Sequence, residues 1–277
     1  MKRKSIFLIG IVAVYWAVIV WAPLSDRLIL FPSRQRIDAG AAQRKTVVFA
    51  GGELEIWTAK SRQAQSAGRT DLYVLRFYGN ADRAERWVAE EAEMWHRRAV
   101  EVWGVNYPGF GGSAGPARLA LIGPAALTAF DSLKQKAGGR PIIVFGASIG
   151  TTAALNIAAH RQLAGVILQN PVPLRQIVLR QFGWWNLWLL AGPLAAKLPS
   201  DLDSIANSRA ARAPAIFLLA GKDEVVAPRF QLLVVNAYAG QKRVIPLPDA
   251  SHNSPLGGPA LADLNGALDW LLPRDSK

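Results

Sequence analysis

Read for the spacing of its apolar residues, the chain divides into three stretches. Ile6 to Ala22 is one uncharged apolar run, continued by Pro23 and Leu24, with no polar stripe at helical spacing. Such a run approaches the roughly 20 residues a helix needs to cross a bilayer, and a helix apolar on all sides is not one that packs by a single face. Leu28 to Ser33 reads as a connector. Beyond it, short apolar runs alternate with longer segments.

The short runs Leu72–Phe77, Val100–Val105, Ile142–Phe145, Val166–Leu168 and Ile216–Leu219 are the length of strands. They are apolar throughout, as strands buried on both faces are. Between them Ala81–Arg98, Leu119–Ala137, Ile149–Arg161 and Pro228–Ala239 carry the 3.6-residue period of helices. Strand alternating with helix predicts a mostly parallel central sheet with helices on both faces. Val47–Phe49 and Leu54–Thr58 have no helix between them and predict an antiparallel start. Val244–Leu247 supplies the last strand and Leu261–Leu272 the closing helix. Gln63–Thr70, polar and rich in small residues, predicts a hairpin or loop. The expected organisation is an N-terminal membrane anchor or signal over 1–25 and one α/β domain over 26–277.

Charge adds orientation to this picture. Lys2, Arg3 and Lys4 precede the apolar run, which predicts an N-in anchor and a domain on the non-cytoplasmic side of the membrane. A cleaved secretory signal is the alternative, although Pro23 and the bulky Trp21 suit a cleavage site poorly. The formal net charge of +12 favours anionic partners. The basic residues are scattered and no nucleic-acid-binding motif accompanies them, so a lipid surface is expected rather than nucleic acid. With no cysteine in the chain, thiolate nucleophiles, disulfides and cysteine-ligated zinc are excluded.

The chemistry concentrates after the strand Ile142–Phe145. Gly146-Ala147-Ser148-Ile149-Gly150 is a Gly-x-Ser-x-Gly elbow with a strand before it and a helix after it. Ser148 is therefore the candidate nucleophile, and a serine hydroxyl needs a base. Of the three histidines, His96 and His160 fall in helical segments, while His252 follows the last strand, on a loop at the sheet edge. The orienting acid belongs after the strand Ile216–Leu219, where Asp223 is the first choice; Glu224 and Asp249 are the alternatives. Backbone N–H groups to hold an oxyanion are expected from Ile149, at the start of a helix, and from Asn80, in the loop after Leu72–Phe77.

Taken together these residues resemble the α/β-hydrolase superfamily, over roughly Leu28 to Leu272. The carriers are Leu30-Phe31-Pro32, Tyr78-Gly79-Asn80-Ala81, Asn106-Tyr107-Pro108-Gly109-Phe110-Gly111-Gly112-Ser113, the elbow, Gly221-Lys222-Asp223-Glu224-Val225-Val226-Ala227-Pro228 and Ser251-His252. More narrowly the chain looks like single-span membrane serine hydrolases related to depalmitoylases, monoacylglycerol lipases and serine aminopeptidase-like enzymes. Tyr78 and Asn106 stand where that group usually has His and Asp. The resemblance implies the α/β-hydrolase fold and cleavage of acyl esters or thioesters through an acyl-enzyme on Ser148, with no metal or other cofactor.

A Trp-rich segment at about 174–198, with Trp184, Trp185 and Trp188 among leucines, reads as a cap with a membrane-facing composition, or as aromatic packing on the sheet. Lipid-like acyl substrates follow from the first reading. An aminopeptidase-like activity and a non-catalytic tethered binding module are the competing functions. Gly109-Phe110-Gly111-Gly112-Ser113-Ala114 matches a relaxed dinucleotide fingerprint, but Gly115-Pro116 interrupts the helix which that motif requires.

Overall fold

A computed structural model describes residues 2–21, 24–181 and 190–272. Eight strands form one sheet: β1 Gln43–Phe49, β2 Gly52–Lys60, β3 Leu72–Phe77, β4 Val100–Val105, β5 Ile142–Ala147, β6 Gly165–Gln169, β7 Ala215–Ala220 and β8 Lys242–Leu247. Their spatial order is β1-β2-β4-β3-β5-β6-β7-β8. β2 pairs antiparallel with β1 and with β4, and every other pairing is parallel. The helices are α1 Lys2–Trp21, α2 Leu24–Ile29, α3 Arg62–Ser66, α4 Ala84–Met94, α5 Leu119–Ala137, α6 Gly150–His160, α7 Leu174–Gln181, α8 Gly192–Ala196, α9 Ser204–Ala210, α10 Pro228–Ala237 and α11 Gly258–Leu271.

The continuous apolar strands are explained by two cores, one on each face of the sheet. Leu75, Phe77 and Val144 point into a core with Phe130 of α5, Leu155 of α6 and Val234 of α10. Their alternates Val74, Ile143 and Phe145 point into a core with Val88 of α4 and Leu264 and Leu268 of α11. Each of β3 to β7 thus buries both sets of side chains, and the parallel strands cross over through helices. The C-terminal ends of β3, β5, β6 and β7 line up along one edge, which is where loops from distant parts of the chain can meet.

Three expectations are corrected. Gln63–Thr70 is not a plain loop: α3 occupies its first half because the Ser61 hydroxyl accepts from the Ala64 N–H and caps the helix. The helix expected from Ala81 begins only at Ala84, since Ala81 has a φ of 63° and cannot join a right-handed helix. The membrane-spanning helix expected over Ile6–Ala22 lacks structural support: among the described residues no helix is long and apolar enough to cross a membrane. Part of that run lies outside the described side chains, as does the tryptophan cluster Trp184, Trp185 and Trp188.

Candidate active site

The turn between β5 and α6 is built to be sharp. Ser148 has a φ of 51°, a left-handed conformation that costs a non-glycine residue about 1–3 kcal/mol. The surroundings hold it there: the Ser148 N–H donates to the Gln169 carbonyl at 2.9 Å, and the Ser148 carbonyl accepts from the Thr151 N–H at 2.9 Å and the Thr151 hydroxyl at 2.6 Å. The two glycines are required by contact. A Cβ on Gly146 would lie 2.4 Å from the Gly150 carbonyl oxygen, and one on Gly150 would lie 2.3 Å from the Phe77 carbonyl oxygen.

Ser148, His252 and Asp223 come together although 104 residues separate the first two. His252 Nε2 lies 2.9 Å from Ser148 Oγ, and His252 Nδ1 lies 2.7 Å from Asp223 Oδ2. A carboxylate only accepts, so Nδ1 carries the proton and Nε2 is left as the acceptor that faces the serine hydroxyl. The Asp223 side chain is fully buried and its other oxygen accepts from the Val225 and Val226 N–H groups at 2.9 and 2.7 Å. Of the alternative acids, Asp249 pairs with Lys222 at the surface and Glu224 is exposed. His96 and His160 are exposed and lie elsewhere, the latter with Nδ1 2.8 Å from the Asn156 carbonyl oxygen of its own helix.

Ile149 follows Ser148 directly, and Asn80 lies in the loop after β3. The Asn80 N–H and the Ile149 N–H have no hydrogen-bond partner among the described residues. Gly79 lies against the nucleophile, since a Cβ there would sit 3.7 Å from the Ser148 Cβ.

Two residues that sequence reading passes over hold the constellation in place. Asn170, at the end of β6 with a φ of 50°, donates from Nδ2 to the His252 carbonyl at 2.9 Å and accepts at Oδ1 from the Ala220 N–H at 3.1 Å. Gln231 of α10, wholly buried, donates from Nε2 to Asp223 Oδ2 at 3.2 Å and to the Val226 carbonyl at 2.8 Å. A glutamine among the apolar residues Phe230, Leu232, Leu233, Val234 and Val235 was a visible signal for Gln231; nothing local marked Asn170.

Tyr78 and Asn106 are accommodated as a set. The Tyr78 hydroxyl donates to Glu91 at 2.8 Å, and its ring occupies space that Gly104 leaves open, a Cβ on Gly104 falling 3.1 Å from the ring. Burial and the neighbouring Glu91 hold the Tyr78 phenol well above its ordinary pKa. Asn106 donates from Nδ2 to Glu55 at 2.7 Å and to Glu85 at 2.8 Å, and accepts from the Ala84 N–H at 2.8 Å. Burial pushes the Glu55 carboxyl up, but bonds from Arg44, Gly112 and Asn106 outweigh it and hold it below the usual range. The loop after β4 does not open a helix at Gly109; α5 begins only at Leu119, so the dinucleotide geometry is absent. Among the described residues no group of three His, Asp or Glu side chains could hold a metal ion.

No family model matches the chain. Uncharacterized proteins from two strains of Mycobacterium tuberculosis are 26% identical to it over 258 residues, which cover 90% of this chain and 87% of theirs. Among solved structures, an esterase of Pyrococcus furiosus aligns with a TM-score of 0.63 at 14% identity, covering 88% of this chain and 97% of that one. A cold-adapted esterase from an Arctic intertidal metagenomic library aligns with a TM-score of 0.61 at 17% identity, covering 84% and 96%. An acylaminoacyl peptidase of Pyrococcus horikoshii aligns with a TM-score of 0.63 at 12% identity, over 83% of this chain and 41% of its own. The strand order, the helices on both faces, the elbow at Ser148 and these likenesses lead to one conclusion: the chain has the α/β-hydrolase fold.

Proposed function

We propose that the protein is a serine hydrolase that cleaves acyl esters or thioesters through an acyl-enzyme on Ser148. The observation that carries this reading is the continuous path from the Ser148 hydroxyl through His252 to the buried Asp223; the unpartnered Asn80 and Ile149 amides among the described residues support it. In the first half-reaction Ser148 Oγ attacks the acyl carbon and its proton passes to His252 Nε2. The Asn80 and Ile149 N–H groups receive the oxyanion; each such donor contributes about 2.7–4 kcal/mol to the transition state in a comparable enzyme. The tetrahedral intermediate collapses, and His252 returns the proton to the departing alcohol or thiol. Water then attacks the acyl-enzyme by the same path, with Asp223 keeping His252 in the correct tautomer throughout.

Membrane association is the second part of the proposal. It rests on the basic cluster ahead of the apolar run and on the exposure of Ile6, Phe7, Leu8 and Ile9, which are 62–72% accessible in α1. Such a helix stays in water only at a cost of exposed apolar area, and a bilayer removes that cost. Substrates drawn from the lipid phase complete the reading.

The test is labelling with a fluorophosphonate, which reacts with activated serines. Wild type should label and Ser148→Ala should not; a folded wild type that fails to label would turn the reading towards a binding module. Turnover of nitrophenyl esters and thioesters against aminoacyl amides then decides which bond is cleaved.

A further inference from the structure

We propose that the Asn80 side chain is a positioning group that ties the oxyanion loop to the segment Ile29–Gln35, making this N-terminal strap part of the catalytic machinery. The inference rests on the hydrolase reading above and concerns how that site keeps one of its amides in place.

The loop between β3 and α4 has little structure of its own. The peptide that carries the Asn80 N–H carries the Gly79 carbonyl at its other end, and among the described residues that carbonyl is held only by a long 3.3 Å bond from the Asp82 N–H. The next residue, Ala81, is strained, with a φ of 63°. What stabilises the turn is the Asn80 side chain. Its Oδ1 accepts from the Ala81 N–H at 3.0 Å and from the Phe31 N–H at 3.1 Å, and its Nδ2 donates to the Ile29 carbonyl. One amide side chain thus closes a local turn and clamps it to the strap on two sides.

The strap is itself immobilised. Leu30 is buried in the core on the α5 face, and the Ser33 carbonyl accepts from the Gly111 N–H at 2.9 Å and from the buried Arg83 at 3.0 Å. Arg34 donates to the Gly109 and Gly115 carbonyls at 3.3 and 3.0 Å, which joins the strap to the loop after β4 as well. A splint of this kind is needed because an oxyanion donor acts only if its direction is set before the charge develops, and a misplacement of about 1 Å costs on the order of 100-fold in rate. The strap continues directly from α2, so the segment that connects the N-terminal helices to the domain is also the segment that aims the amide.

The experiment uses the full-length chain in detergent and an ester that wild type turns over. Asn80→Ala keeps the backbone N–H and removes the tether. The expected result is a fall in kcat of about 10- to 100-fold with KM changed less than about threefold. Affinity for an aryl boronic acid, which forms a tetrahedral adduct on Ser148, should fall in parallel. The acid limb of the pH profile of kcat/KM should stay where it is, because the tether touches neither His252 nor Asp223.

A second pair works from the strap side: Phe31→Pro removes the N–H that Asn80 accepts, whereas Phe31→Ala retains it, so the proline variant should lose more kcat and more boronate affinity than the alanine variant. This pair decides the matter if Asn80→Ala does not fold. Asn80→Ala with kcat and boronate affinity within twofold of wild type, a loss confined to KM, or equal effects of the two Phe31 variants would overturn the inference. A wild type that neither turns over esters nor binds the boronate would instead overturn the hydrolase reading itself.

Discussion

Both Nδ2 protons of Asn106 go to carboxylates, and its Oδ1 accepts from the Ala84 backbone N–H. That explains why an amide suits this position, where the group the sequence resembles usually has Asp. With Glu55 and Glu85 already at this point, both nearly buried, a third carboxylate would repel two others and remove one donor from each. Asn106→Asp is isosteric, so packing is unchanged and the electrostatic effect stands alone. The substitution should destabilise the protein by about 3 kcal/mol or more at neutral pH, since two hydrogen bonds to charged groups are lost at roughly 1.5–3 kcal/mol each. Urea denaturation read at neutral pH and at pH 4.5 checks this. The deficit should shrink in acid as the carboxyls protonate, and an unchanged midpoint would refute the account.

At the scale of elements, the elbow works because β5, α6 and the end of β3 are pressed together with no room for a side chain at Gly146 or Gly150. Gly150 faces backbone atoms, the Phe77 and Tyr78 carbonyls, which cannot rotate away. Gly150→Ala should therefore cost about 3 kcal/mol or more, at the upper end for overpacking a core. Gly266, inside α11 with nothing within 4 Å of where its Cβ would be, provides the opposite case. Gly266→Ala should stabilise the protein by roughly 0.5–1 kcal/mol, because it reduces the freedom of the unfolded chain in a helix that tolerates the methyl. Thermal denaturation of the two variants should show shifts of opposite sign; shifts of the same sign would mean that contact at the Cβ is not what distinguishes these positions.

For the whole molecule, a net charge of +12 and the exposed apolar helix α1 make separable contributions to membrane binding. Charge attraction is screened over about 8–10 Å at physiological salt, whereas burial of apolar side chains in lipid is not weakened by salt. The full chain should float with vesicles containing an anionic lipid and remain bound in 1 M salt. A chain beginning at Leu24 should bind those vesicles only at low ionic strength. Release of the full chain by salt would reduce its association to surface charge and remove the anchor from the proposal.

The same division between near and far in the chain governs how much of the molecule was legible from its sequence. Strands and helices could be read because each leaves a periodic trace over a few neighbouring residues, and the elbow because its glycines, serine, strand and helix are contiguous. Ser148, Asp223 and His252 could be named because each follows a strand in a recognisable order. The start of α4 was misplaced, because the turn at Ala81 is held by a side-chain bond to the strap some 50 residues earlier, which no local period records. The order in which the strands lie side by side, with β4 inserted between β2 and β3, was likewise decided only in the folded molecule. So were the roles of Asn170, Gln231 and the strap, whose partners lie from 5 to 82 residues away. Local sequence sets backbone preference and the period of burial; which loops share an edge of the sheet is set by packing between elements, and the candidate site exists only where those loops meet.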